Sequence, residues 1–397
     1  MFKFIQGRLL EKISLAFFLL LFPGFFIYHV SIGLGLIPPF FGGYWGATTI
    51  FAVILFTIFG AKQFFKNTSL AQKIFYLILS INLIVSLAAF AFDTPTGYSF
   101  DMFAWSMAGI VANVAVFMVG RNFNAKYSNY SGILTILLTA VIIYYSRNTA
   151  VFDPRYLSEF QDVEAIASYQ GLSRSFLFVA LVASAANFKS SRWYYIYSIA
   201  GLLGLFMIGS RSEFMVFIAS IIILYLMYIK NDLRLILQFF LLVGVSVAAI
   251  LILDGFHPEL RIFDVMGVFH SESGLARSEL NRLAFNDVFD SVFSMVFGNY
   301  GGYVKYGGIG SYPHNIFSAW YNFGIVGIFL FLSLFAILWR DFFKWFDMYG
   351  SDPLFKIFSI FLISATLLFL FSKEYTDVSL ALAVGIHWGI FARKLKK

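Results

Sequence analysis

A chain of 397 residues that is 60% hydrophobic, 20% aromatic and only 12% charged, with a mean hydropathy of +0.81, carries more apolar surface than a soluble core would hide. That composition excludes a water-soluble enzyme or nucleic-acid-binding domain and leaves an all-α, polytopic bundle of membrane helices. No cysteine occurs, which removes disulfides and thiolate metal ligands, and the net charge of +7 needs a topological explanation.

About 20 mostly apolar residues in a helix cross a hydrocarbon layer. Twelve such runs follow one another, at 13–31, 42–60, 73–92, 102–119, 132–146, 173–188, 193–208, 214–229, 235–253, 314–339, 356–371 and 377–392. The run at 132–146 is short, so either it extends into its flanks or the count is eleven. The first run follows Lys3, Arg8 and Lys12 in the manner of a signal peptide. No small-residue cleavage site comes after it, however, and Pro23-Gly24 interrupts it, so it reads as a retained span.

Lys and Arg resist translocation, which orients the chain. With the N-terminus inside, the inner segments (1–12, 61–73, 120–131, 189–192, 230–234, 340–356, 393–397) hold 19 Lys/Arg and 5 Asp/Glu, and the rest of the chain holds 9 and 16. This asymmetry places both termini in the cytoplasm and explains the basic excess as a topology signal and a contact with anionic lipid. No basic face with interleaved aromatics points to nucleic acid.

Two outer segments exceed a simple connection. One is 147–173, with Arg147, Asp153, Arg155, Glu159, Asp162 and Glu164. The other, 254–313, lies between the ninth and tenth spans and is the only stretch polar enough to build something of its own. Long loops of mixed composition are usually functional. The chain thus reads as one integral membrane domain over 1–397 with a large outer loop at 254–313. The inner connections are too short for a catalytic domain that draws on a cytosolic nucleotide donor, so any chemistry belongs outside.

In chain order, the first candidate is Arg211 in "MIGSRSEFMVF" (207–217). It sits in a short outer turn where the positive-inside bias disfavours a cation, although snorkelling to lipid or pairing with Glu213 would also account for it. Next, "GLARSELNRLAFNDVFDSVFSMVFGNYGG" (274–302) predicts an amphipathic helix. Leu280, Ala284, Val288, Val292 and Val296 form one stripe; Ser278, Arg282, Asn286 and Asp290 form another. The helix should end at Gly298, and "GNYGGYVKYGGIG" should be flexible enough to close over a ligand. Arg282 either faces a ligand from the polar side or pairs with Glu279 one turn earlier.

Finally, "GGIGSYPHNIFSAWYNFGIVGIFLFLSLF" (307–335) runs from a glycine-rich loop into an apolar helix, with His314 and Asn315 at the junction. An imidazole accepts a proton near neutral pH, and arginine offers permanent charge and a bidentate fork to phosphate oxygens. A base beside such a clamp suits attack by a hydroxyl on carbon with departure of a phosphate or diphosphate. Taken alone, a histidine at a helix end is most often a packed or interfacial residue.

The "GSR" opening a span, the Arg282 to Gly298 spacing, and "HN" leading into "FGIVGIFLF" resemble the superfamily of bacterial O-antigen polymerases and O-antigen ligases, over roughly residues 200–335. The resemblance implies a metal-independent, cofactor-free, inverting glycosyltransferase of the bacterial inner membrane. Its donor would be an undecaprenyl-diphosphate-linked oligosaccharide used on the periplasmic face, which makes 254–313 a periplasmic loop, and a chain-length regulator would be a partner. Carried over, His314 matches the catalytic histidine, while Arg211 and Arg282 match the diphosphate-binding arginines. Within residues 200–335 no Arg is followed by Gly eleven positions later, and Asn286 stands where a Trp is found four residues after the arginine, so Arg277 remains an alternative to Arg282. Tyr300, Tyr303, Tyr306 and Tyr312, with Asn315, are candidates for sugar contact, or else interfacial anchors.

Within that superfamily the polymerase and the ligase differ in acceptor: another lipid-linked repeat, or the lipid A core. A composition rich in Phe, Ile, Tyr, Asn and Lys suggests an AT-rich gene, as is frequent in O-antigen clusters, and favours the polymerase. "HPE" (257–259) and "HSE" (270–272) have the His-x-Glu of zinc deaminases without the cysteines that such a site needs; a two-His, two-Glu site is the remaining metal reading. The competing class is a transporter or flippase of lipid-linked oligosaccharide. Such proteins carry polar sites at the midplane, where this chain has little beyond Asn82, Asn113 and Gln238. His387, inside the last run, is expected to bond a neighbouring helix.

Overall fold

A computed structural model describes residues 2–39, 43–64, 68–92, 100–146, 152–157, 166–188, 193–228, 244, 272–308 and 311–394. All regular structure among them is helical: α1 (Phe2–Leu19), α2 (Phe25–Gly33), α3 (Tyr44–Phe64), α4 (Leu70–Ala91), α5 (Phe100–Arg121), α6 (Ser128–Ser146), α7 (Tyr169–Asn187), α8 (Trp193–Ile208), α9 (Arg211–Tyr228), α10 (Glu272–Phe289), α11 (Val292–Phe297), α12 (Phe317–Tyr349), α13 (Pro353–Phe371) and α14 (Val378–Lys394).

Eight helical segments among the described residues are long and apolar enough to cross a bilayer, so this is a membrane protein, with fewer qualifying spans than the twelve runs suggest. The short fifth run does extend into its N-terminal flank, to Ser128. The others fall short for physical reasons. α7 carries Arg174 and several serines, which lower its hydropathy; α8 has 16 residues, roughly 24 Å at 1.5 Å per residue, and α14 has 17, at the short end of what crosses a bilayer core. The run 235–253, like most of 254–271, falls outside the described residues, apart from Gly244.

The chain divides into two compact units. The first comprises 1–48, 123–263 and 348–364. Here α1 continues into α2 through a π-turn at Leu20–Gly24 that contains Pro23. Proline has no N–H to give the preceding turn; the Phe25 N–H reaches Leu20 O and Phe22 O, and these carbonyls also accept side-chain hydroxyls, Tyr44 to Leu20 O at 3.0 Å and Ser175 to Phe22 O. The sequence interruption is therefore an accommodated kink inside one helix. α7 is the buried axis of this unit, with Phe176, Leu177 and Phe178 fully covered; α6 and α8 pack on it. Lys356 is buried, and its ammonium donates to Phe188 O at 2.7 Å.

The second unit comprises 49–122, 264–347 and 365–397. Its tightest seam joins α5 to α14, where a Cβ on Gly385 would strike the Phe117 carbonyl and one on Gly120 the Leu382 carbonyl. Small residues let backbones approach where lipid supplies no hydrophobic drive. As expected, His387 bonds a neighbouring helix: its Nε2 lies 3.0 Å from Asp341 Oδ2 on α12, and its ring stacks on Trp345 at 4.8 Å.

Candidate functional site

The predicted helix over 274–302 is two helices. α10 stops at Phe289, and the Ser291 hydroxyl accepts the Ser294 N–H at 3.0 Å to start α11, an N-cap that competes with a continuous helix. The apolar stripe breaks there too: Ala284 and Val288 are buried, Val292 is exposed. α11 ends at Gly298 as expected, with φ +84°. The glycine-rich stretch beyond contains a 3-10 turn at Gly302–Tyr306, with Tyr300 and Tyr303 buried.

α12 is interrupted at Gly324 (φ +62°, ψ −160°), which leaves a short first half, Phe317–Phe323, and a long second half from Ile325. A Cβ on Gly324 would run into the backbone of Val296, and one on Gly298 into that of Asn322 and Gly324. Both positions need glycine, for the positive φ and for the contact of two backbones. Groups near the break are satisfied locally, as a helix end in a membrane protein requires. Asn299 N–H donates to Tyr321 O at 2.6 Å, Gly301 N–H to Asn322 Oδ1 at 3.2 Å, and Trp320 Nε1–H to Met295 O at 3.1 Å.

His314 stands on the strand of loop that leads into this broken helix. It is half-buried; its backbone N–H donates to Asn281 Oδ1 on α10 at 3.0 Å, and its ring meets Tyr312 at 5.0 Å between centroids. Asn315 adopts φ +68°, which asparagine tolerates better than most residues. Its Oδ1 accepts the Phe317 N–H at 2.9 Å and its carbonyl accepts the Ser318 hydroxyl at 2.8 Å, so Asn315 shapes the start of α12.

Arg282 lies one residue beyond Asn281 and is exposed. It donates through Nε (2.8 Å) and Nη2 (2.5 Å) to the two carboxylate oxygens of Glu279, and these hydrogen bonds hold the Glu279 carboxyl below its usual range. An exposed pair of this sort contributes little to stability and leaves the guanidinium in reach of solvent. Arg277 is in the same helix, and its side chain is outside the described residues. Arg211 opens α9 in the first unit, after a turn at Gly209 with φ +76°. It is half-buried. Glu213 is fully buried and accepts the hydroxyls of Ser210 and Ser212, with no ion pair to Arg211 among the described residues.

The tyrosines sort by burial. Tyr300 is 9% exposed and its hydroxyl lies 2.9 Å from both Asn82 Oδ1 and Ser106 Oγ, which ties the loop to α4 and α5. Tyr303 is buried between Tyr312 and Tyr321. Tyr306 and Tyr312 keep half-exposed rings. Asp287 joins several of these elements: it accepts the Tyr321 hydroxyl at 2.9 Å and the Lys305 ammonium at 2.9 Å. Sequence reasoning passed over Asp287, Asn281 and Tyr321. The available signal was a carboxylate between Ala284 and Val288, on the buried side of an amphipathic helix, where a charge needs a partner.

Within the second unit, then, His314, the helix carrying Arg277 and Arg282, and the rings of Tyr303 and Tyr312 come together, while Arg211 belongs to the first. A half-buried imidazole joined to a helix with a solvent-facing guanidinium can take a proton beside a bound anion. No cluster of three or more metal-ligating side chains occurs among the described residues; His257 and His270 are not among them. No family model matches this chain, and no curated protein or solved structure matches it either.

Proposed function

We propose that this protein is an O-antigen polymerase, an inverting membrane glycosyltransferase that joins undecaprenyl-diphosphate-linked repeat units on the periplasmic face of the inner membrane. The observation that carries the reading is the hydrogen bond from His314 N–H to Asn281, because it couples the candidate base to the helix that bears the candidate diphosphate ligands.

In this mechanism the acceptor sugar hydroxyl loses its proton to His314 as its oxygen attacks the anomeric carbon of the donor. The bond from that carbon to the diphosphate breaks on the opposite face, which inverts the linkage, and undecaprenyl diphosphate leaves with the electron pair. Arg282 or Arg277 would neutralise the leaving group, a role that the family resemblance assigns to Arg211 as well; preorganised donors of this type commonly supply a few kcal/mol each. Half-exposed Tyr306 and Tyr312 suit stacking on sugar rings, and Asn315 would add a polar contact through the amide nitrogen it does not use on α12.

A ligase that moves finished glycan to the lipid A core would use the same donor chemistry. The surface glycan of a deletion strain separates the two: single repeats on the core are expected here, whereas core with no repeat would indicate a lost ligase. Glycan of unchanged length and amount would contradict both.

A further inference from the structure

α10 and α11 leave their largest apolar side chains outside the fold. Phe285, Phe289, Val292, Phe293 and Phe297 are all exposed, Phe293 at 70% and Val292 at 75%. The rings form connected pairs: Phe285 with Phe289 at 4.5 Å, Phe293 with Phe297 at 5.0 Å. The first pair continues onto the first half of α12, with Phe285 against Phe317 at 6.0 Å and Phe289 against Trp320 at 5.4 Å. A clustered aromatic surface, unlike scattered single residues, marks a place that something covers.

The adjoining surface identifies the cover. The backbone contact at Gly298 and Gly324 seats Phe297 beside the start of the long half of α12. That half is among the helices able to cross a bilayer, and it exposes Ile325, Val326, Phe329 and Leu332, side chains that lipid must solvate. The phenylalanine face is thus continuous with a lipid-facing one. Ser278, Glu279, Arg282, Asn286 and Asp290 share the exposed side of α10 and its C-terminal end with these rings, and Leu275 is exposed there as well. Exposed aromatic rings interleaved with charged and polar side chains suit the interfacial layer of a bilayer, where both find partners.

We propose that α10 and α11 form an in-plane anchor, with the face from Phe285 to Phe297 immersed in the interfacial layer of the bilayer. Arg282, one turn before Phe285, then reaches the depth of lipid phosphates, and the Asn281 bond holds the His314 loop near the same level. The anchor stands independently of the glycosyltransferase reading, and its test uses no substrate.

Because the chain has no cysteine, single spin labels can be placed directly. Full-length Phe293→Cys, Phe297→Cys and Asp290→Cys proteins, labelled and reconstituted in phosphatidylethanolamine–phosphatidylglycerol nanodiscs, would be read for collision with oxygen and with a water-soluble nickel chelate. Oxygen should exceed the chelate several-fold at positions 293 and 297, with the opposite order at 290. Val292→Cys, on the same exposed stretch, serves as a further position should one variant fold poorly. Chelate-dominated collision at 293 and 297 would overturn the anchor. So would protection from both reagents, which would mean that a second copy or another protein covers the face.

Discussion

His314→Ala is expected to leave a folded protein that binds its lipid-linked donor but transfers sugar about 10²–10⁴ times more slowly, the usual contribution of a positioned general base. Folding should survive because the contact with α10 uses the backbone N–H of residue 314, which alanine retains, and because the side chain is only half-buried. The loss is the imidazole beside Tyr312. His314→Gln keeps a polar side chain of similar reach without a titratable nitrogen, so it should be nearly as impaired. Single-turnover transfer by the purified variants, with donor binding measured separately, reads this directly. Near-normal transfer by the glutamine variant would reduce His314 to a hydrogen-bonding residue at the head of α12.

Arg211→Ala and Arg282→Ala should each lower transfer about 10²–10³-fold, the scale on which one preorganised charge-stabilising donor acts. The surroundings of the two arginines add a distinction. Arg282 is held by Glu279 in an exposed pair, so Glu279→Ala frees the guanidinium and should retain transfer, which a purely structural role for the pair would not predict. Arg211 has no such partner among the described residues, and Arg211→Lys keeps charge without the planar fork. Partial activity in the lysine variant indicates simple attraction of the diphosphate; activity as low as in the alanine variant indicates two-point binding. Glycan of normal length in either alanine variant, with the protein present in the membrane, would remove that arginine from the site.

The helices were legible wherever hydrophobic periodicity and length agreed, and positions such as Pro23 and Ser128 show how far. Proline in an apolar run signals an interruption, but here a π-turn carries the helix through it, with added bonds from the hydroxyls of Tyr44 and Ser175, distant in sequence. Hydropathy separates apolar from polar stretches well and assigns their roles poorly. α7 reads as an apolar run, and its Phe176, Leu177 and Phe178 make it the buried axis of the first unit, a role that hydropathy alone does not distinguish from a lipid-facing helix. The break at Ser291 was hidden because the four-residue stripe continues formally through Val292, and a single N-capping serine overrides periodicity.

At the site, His314 and the arginines stood out because charge is scarce in this chain. Asn281, Asp287 and Tyr321 did not, since their importance lies in pairings across 33 or 34 residues, His314 with Asn281 and Tyr321 with Asp287. The need for glycine at 324 likewise depends on Val296 lying against it. A glycine within "FGIVG" by itself only loosens a helix.

The most direct measurement is the fate of an undecaprenyl-diphosphate-linked repeat unit given to the purified protein in detergent or nanodiscs, without metal ions or nucleotide sugars. The proposed function predicts glycan chains longer than one repeat, with undecaprenyl diphosphate released once per bond formed and the new linkage inverted at the anomeric carbon. Repeat units recovered unchanged in length by active, folded protein, or merely moved across the bilayer of a proteoliposome, would contradict it.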